Sequence, residues 1–290
     1  MTTEPESEPG TPPGTPLRVR TPAGVLAYQE TGTGEPLIMH HGAESHRGQY
    51  TGFARHLPGG IRAISYDQRD IGDSFTASGP YSMGDLADDC VALMDALGID
   101  RAHVMGISFG GALSLHVAIR HPDRVRSLLV GAAPDGASSP SEFMTRLLSA
   151  TDDERTELMI EAVLSDAGRR DPALAGPVRR IVSGRHSPPG SPRMAALAGH
   201  RVVDDLHRIT APTVLFYGAD DPLVPVGNGE VLAAGIAGAE LVVVPGARHG
   251  LSFEFATTVA TLVGEFVHAH PVTGPAAAPP TDPNITRSDR

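Results

Sequence analysis

The sequence predicts an α/β protein: a mostly parallel sheet with helices on both faces and a small helical insertion. Two observations predict it. Short apolar runs alternate with longer stretches of helical period along most of the chain, the rhythm of strand–helix–strand units whose strands lie parallel. Between about residues 135 and 205 that rhythm stops, helical patterns follow one another without a convincing strand, and it then resumes.

Taken in order, residues 1–16 (MTTEPESEPGTPPGTP) carry acid, Pro, Gly and Thr with almost nothing apolar, and 270–290 read much the same; both are expected to be disordered tails. Leu17–Arg20 and Val25–Tyr28, joined by a turn through Gly24, predict an antiparallel hairpin. Pro36–Met39 and Ile61–Tyr66 read as buried strands. A helix is expected over Met83–Leu97, started by Ser82 as N-cap with Asp85 three residues on. Ala102–Met105 is a short strand that runs straight into GISFGG. A helix over Ala112–Ile119, closed by His121-Pro122, and a strand over Val125–Val130 come next. In the insertion, 135–205, Phe143–Leu148 and Leu158–Leu164 have helical period between turn-rich stretches such as SGRHSPPGSP. Strands at Thr213–Tyr217 and Glu240–Val244 and helices near Gly229–Ala237 and Phe253–Ala269 complete the chain. Residues 17–134 and 206–269 thus form the core and 135–205 a cap.

Composition bounds what such a protein does. A chain of 290 residues with 40% hydrophobic content can bury one large core. Its net charge of −11, with no clustered basic stripe, argues against a nucleic-acid partner. All 23 basic residues are Arg, which excludes chemistry that runs through a lysine amine. No apolar run is long enough for a membrane span or signal peptide. The one cysteine, Cys90, shares a helical face with Leu86, Leu93 and Leu97 and reads as a core thiol. A soluble protein of the cytoplasm, acting on a small molecule, is the expectation; whether it pairs as a homodimer is open.

Gly106-Ile-Ser-Phe-Gly110 matches G-x-S-x-G, a pattern that 33 glycines would produce by chance in roughly one such chain in four. Context makes it specific: between an apolar strand and a helix, a sharp turn with small residues at 106 and 110 would hold the Ser108 hydroxyl above the sheet edge. A serine hydroxyl is a poor nucleophile unless a base takes its proton. His249 follows the strand ELVVV and Asp221 follows TVLFY, so a base and an acid are available at strand ends. The adjacent Asp220 and, after an earlier strand, Asp135 are alternative acids. No H-E-x-x-H, paired C-x-x-C, dinucleotide fingerprint or phosphate-loop lysine occurs, so neither metal nor cofactor is expected.

With these motifs in place the sequence resembles the α/β-hydrolase family across most of residues 17–269 apart from the insertion. The resemblance implies an eight-stranded, mostly parallel sheet and the chain order Ser, Asp, His. Gly218, Asp221 and Pro225 match the family's G-x-x-D-x-x-x-P stretch, which favours Asp221 as the acid. The resemblance also implies an oxyanion hole from the amides of Phe109 and of Ala43, the latter in His41-Gly42-Ala43. Glu44, Phe143 and Met144 are candidate substrate contacts, and Met159 and Met194 further apolar lining. Asp67–Ser74 is similar to the family's D-x-R-G-x-G-x-S stretch, with Asp70 in place of the first Gly. That version resembles methylesterases of aromatic polyketides, and the chain as a whole also resembles enol-lactonases. What this implies is a serine hydrolase of a carboxylic ester or lactone. Alternatives on the same framework are a lyase, a cofactor-free haloperoxidase or perhydrolase, and a ligand receptor.

Overall fold

A computed structural model of the chain describes residues 16–183 and 190–272, and the backbone of 286–287. Eight strands build the sheet: β1 (Leu17–Arg20), β2 (Val25–Thr31), β3 (Glu35–His40), β4 (Ile61–Tyr66), β5 (Ala102–Ile107), β6 (Val125–Gly131), β7 (Thr213–Gly218) and β8 (Glu240–Val244). A two-residue strand, β9 (Thr286–Arg287), pairs antiparallel with Val242–Val243 at the edge. Otherwise, most of the two segments read as tails lies outside the described residues, as does 184–189 of the turn-rich stretch.

The strand order is β1-β2-β4-β3-β5-β6-β7-β8-β9, with β4 to β8 mutually parallel and the β1–β2 hairpin antiparallel. Every residue of the central strands β5 and β7 is buried. That is why their sequences are mostly apolar rather than alternating, with the buried polar exceptions His103 and Thr213 hydrogen-bonded to Ser127 and the Ala211 carbonyl.

Helices α1 (Met83–Ala96) and α2 (Phe109–Arg120) follow β4 and β5, and α8 (Val226–Gly235) and α9 (Ala256–Ala269) flank β8. Right-handed crossovers put α1, α2 and α8 on one face. Helix α9, packed on the short turn Phe53–His56, covers the other. Helix α1 starts as expected at Ser82: its hydroxyl accepts from the Asp85 amide at 3.2 Å and the Asp85 carboxylate accepts from the Ser82 amide at 2.7 Å. Helix α2 begins three residues earlier than the sequence predicts. Gly110 and Gly111 lie inside its first turn, where a Cβ would stand 1.9 Å from the His40 carbonyl oxygen and 2.7 Å from the Ala133 Cβ. These glycines let the helix approach its neighbouring strands; they do not end it.

Between β6 and β7 the chain forms α3 (Glu142–Ser149), α4 (Asp152–Val163), α5 (Asp166–Arg170), α6 (Pro172–Val182) and α7 (Pro192–Ala198). Leu147, Ala162 and Ala196 from this group join the main core. Ile160, Val163, Leu164, Val178 and Val182 form a second, smaller core between α4 and α6.

Candidate active site

β5 passes into α2 through Ser108, whose backbone lies at φ 59°, ψ −122°. An L-residue holds that conformation only when its surroundings impose it. The imposition is visible. A Cβ on Gly106 would meet the Gly110 carbonyl oxygen at 2.0 Å, and one on Gly110 the His40 carbonyl oxygen at 1.9 Å, so the turn closes only with glycine on both sides. Ile107 and Phe109 are buried and Ser108 between them is partly exposed at the carboxyl edge of the sheet.

Two further loops leave the same edge. After β7, Asp221 is buried with one carboxylate oxygen, Oδ1, accepting from the amides of Leu223 at 2.8 Å and Val224 at 3.0 Å. Its other oxygen, Oδ2, lies 2.7 Å from Nδ1 of His249, which follows β8. With the Nδ1 proton donated to Asp221, the basic nitrogen of His249 is Nε2. The two loops are laced together by the Asp220 amide, which donates to the Ala247 carbonyl at 3.0 Å. Asp220 itself is exposed. Asp135 is buried but occupied within its own turn, accepting from the amides of Ala137 and Ser138 and from the Ser138 hydroxyl. Burial raises its pKa, and these hydrogen bonds outweigh burial and hold the carboxyl below its ordinary value.

Phe109 is the first residue of α2, among the amides that a helix leaves without an internal partner. Across from it, the loop after β3 carries His41-Gly42-Ala43. The Gly42 amide donates to Oε1 of Gln49 at 2.9 Å, and a Cβ on Gly42 would lie 4.0 Å from the Ser108 Cβ. The loop is therefore fixed beside the serine. His40 and His41 point to opposite sides: His40 toward Ser114 and Cys90, His41 toward the Gly42 carbonyl and Gln68. Burial holds the His40 imidazole down to about 3 and that of His41 well below its ordinary value, so both stay neutral.

Residues from the cap close over this region. Glu44 does not stand free: its Oε1 pairs with Arg155 of α4 at 2.6 Å, while Oε2 is buried without a partner. Phe143 and Met144 of α3 are half-buried against the main core, and the Phe143 ring carries the Arg146 guanidinium at 4.9 Å. A surface depression of about 670 Å³ on the outer cap, between Arg146 and Leu158, is lined by none of these candidate residues. Among the described residues no group of three or more His, Cys, Asp or Glu side chains is arranged to hold a metal.

One residue at this site has no counterpart among the sequence-predicted candidates. Arg193 of α7 is 1% exposed, and its guanidinium carbon lies 3.7 Å from the centroid of the Phe109 ring. Nη2 reaches the Gly42 carbonyl at 3.4 Å, whereas Nε and Nη1 have no partner. In the sequence it reads as an ordinary helix charge; the fold places it on the same helical stripe as the buried Ala196, three residues on. A charge in a core position is the anomaly that marks it.

Fold and site together define a class of α/β enzymes built on a strand–serine–helix elbow. A profile of the alpha/beta hydrolase fold matches residues 35–256, and the chain belongs to that family. It is 30% identical over 268 residues to the 2-hydroxy-6-oxo-6-phenylhexa-2,4-dienoate hydrolase of Comamonas testosteroni, spanning 84% of this chain and 91% of the relative. Among solved structures, a hydrolase from Pseudomonas aeruginosa PA01 superposes with a TM-score of 0.76 at 28% identity, over 89% of this chain and all (100%) of the other. Est816, described as an N-acyl homoserine lactone degrading enzyme, superposes with a TM-score of 0.74 at 26% identity, over 87% and 100% of the two chains. Among the described residues no helix is long and apolar enough to cross a membrane.

Proposed function

We propose that this enzyme hydrolyses a carboxylic ester or lactone of a small to medium organic substrate through an acyl-enzyme on Ser108. The observation that carries the reading is the His249–Asp221 contact of 2.7 Å, brought to the sheet edge where Ser108 stands on its strained turn.

In the first half-reaction the Ser108 Oγ attacks the substrate carbonyl carbon while Nε2 of His249 takes its proton. Asp221 holds the ring in the required tautomer, and its carboxylate stabilises the imidazolium that forms. The amides of Phe109 and Ala43 receive the negative charge that develops on the carbonyl oxygen. His249 then returns the proton to the leaving alkoxide. Water, activated by the same imidazole, cleaves the acyl-enzyme and frees Ser108. Every step uses groups of this chain, and none calls for a cofactor. The described residues hold a single, buried thiol, and we assign the enzyme to a reducing, cytoplasmic setting on that basis.

The test is hydrolysis of p-nitrophenyl acetate and butyrate by the wild type beside Ser108→Ala, with a fluorophosphonate to report covalent labelling. The wild type is expected to turn over and label, and the variant to do neither. Because the relative from Comamonas testosteroni is named for a dienoate, that compound belongs in the same screen as esters and lactones. A wild type that is neither labelled nor active on any of them sinks the proposal. So does a Ser108→Ala variant that retains wild-type turnover.

A further inference from the structure

Around the oxyanion loop two cations, Arg155 and Arg193, stand near two carboxylates, Glu44 and Asp70, but only one ion pair forms. Glu44 is matched by Arg155, and Asp70 accepts from the Ala77 amide at 2.7 Å. Arg193 has no carboxylate within ion-pair reach among the described residues. The groups whose charges act on it are Tyr81, Tyr66, Glu44 and Asp70. Of these, Oε2 of Glu44 is itself buried without a partner, while the Tyr81 hydroxyl lies against Asp70 and that of Tyr66 against Cys90.

A guanidinium has five N–H donors, and the one on Nε and the two on Nη1 of Arg193 meet no acceptor. Leaving a buried charge so poorly matched is costly, and native structures retain such a group where something else completes it. The stacking on Phe109 fixes the guanidinium plane, so its unused donors point out along that plane. Phe109 is the residue next to Ser108, and Gly42, which Nη2 contacts, abuts the Ser108 Cβ. The two groups that Arg193 touches thus flank Ser108. Burial lowers the guanidinium to about 10, which leaves it charged at neutral pH.

We infer that Arg193, stacked on Phe109 beside Ser108, is the docking point for a carboxylate carried by the substrate, so that the preferred substrates are acidic esters or lactones, such as half-esters of short dicarboxylic acids. A carboxylate is planar and takes two N–H donors from one guanidinium, a match that a neutral group of equal size does not offer. This inference rests on the serine-hydrolase reading.

The experiment compares monomethyl succinate with methyl 4-methylpentanoate, in which an isopropyl group replaces the carboxylate, following acid release in a pH-stat with the full chain. The wild type is expected to favour the acidic ester in kcat/KM by tenfold or more. Arg193→Met should lower the ratio of the two kcat/KM values by about 10- to 100-fold, the range expected for hydrogen bonds to a charged group, with the loss mainly in KM. Arg193→Lys, which keeps the charge, should recover part of the ratio. A wild type that prefers the neutral ester overturns the inference without needing any variant, and so does a ratio that Arg193→Met leaves unchanged while both rates fall together. In either case turnover of the neutral ester and its loss in Ser108→Ala leave the hydrolase reading standing. If neither ester is turned over and the fluorophosphonate does not label, that reading has failed and the inference falls with it.

Discussion

His40 lies one residue before the loop that faces Ser108, and it ties the stability of the protein to pH. The Ser114 hydroxyl donates to the Gly110 carbonyl at 2.9 Å, so its oxygen accepts from Nδ1–H of His40, also at 2.9 Å. Nε2 is then the acceptor, facing the Cys90 thiol at 3.2 Å, a thiol that burial keeps protonated by raising it to about 12. A neutral imidazole satisfies both contacts; an imidazolium does not. The folded-state value of about 3 lies below the ordinary 6.5, so protons bind the unfolded chain more readily. Stability from this group is complete above about pH 6.5 and is lost as pH falls from there toward 3. Between pH 8 and pH 5 the loss is about 2 kcal/mol for His40 alone, from the proton-linkage relation. His116, which burial lowers to about 4, acts in the same direction. Urea unfolding followed by circular dichroism at pH 8, 6.5, 5.5 and 5 measures the effect in the wild type and in His40→Gln. The variant is less stable throughout, but the stability gap between the two proteins should narrow by about 2 kcal/mol at pH 5. A gap that does not change with pH refutes the assignment of a neutral, buried imidazole.

Two more predictions concern the elbow and the acid. Gly110→Ala sets a methyl group against the His40 carbonyl oxygen at 1.9 Å, backbone against backbone, and should cost more than about 3 kcal/mol in urea unfolding; a loss under about 1 kcal/mol would mean that the turn tolerates a side chain. Asp221→Asn keeps an acceptor for the Leu223 and Val224 amides but removes the charge facing His249, so kcat on p-nitrophenyl butyrate should fall by about 10³- to 10⁴-fold with the melting temperature little changed. If Asp135→Asn does this and Asp221→Asn does not, the acid has been assigned to the wrong strand end.

Much of this was legible in the sequence because buried parallel strands and capped helices leave local signatures. β7 and β8 read directly as apolar runs, and the Ser82–Asp85 box marked the start of α1. Boundaries were lost where local chemistry imitates something else. Gly110-Gly111 looks like a break but is the contact surface of α2, and the polar first turn of α4, Asp152–Arg155, conceals a helix start that the Thr151–Glu154 box fixes. The Ser108, Asp221 and His249 positions could be proposed because each follows an apolar strand. Arg193 could not be placed the same way, since what singles it out is the absence of partners, a property of tertiary packing. Glu44 was visible as a polar residue near the serine, but its pairing with Arg155 joins residues 111 positions apart, which no local pattern reports.

The loop that carries His249 is stitched to the cap as well as to the sheet. The His249 and Gly250 amides donate to the Ala162 and Val163 carbonyls at the end of α4, both at 3.0 Å. Glu254 accepts from the Ser165 amide at 2.8 Å. Gly250 approaches so closely that a Cβ there would meet the Val163 carbonyl at 2.3 Å. The His249 loop and α4 are thus one mechanical part. Any displacement of α4 would pull through these hydrogen bonds on the stretch of backbone that carries the imidazole.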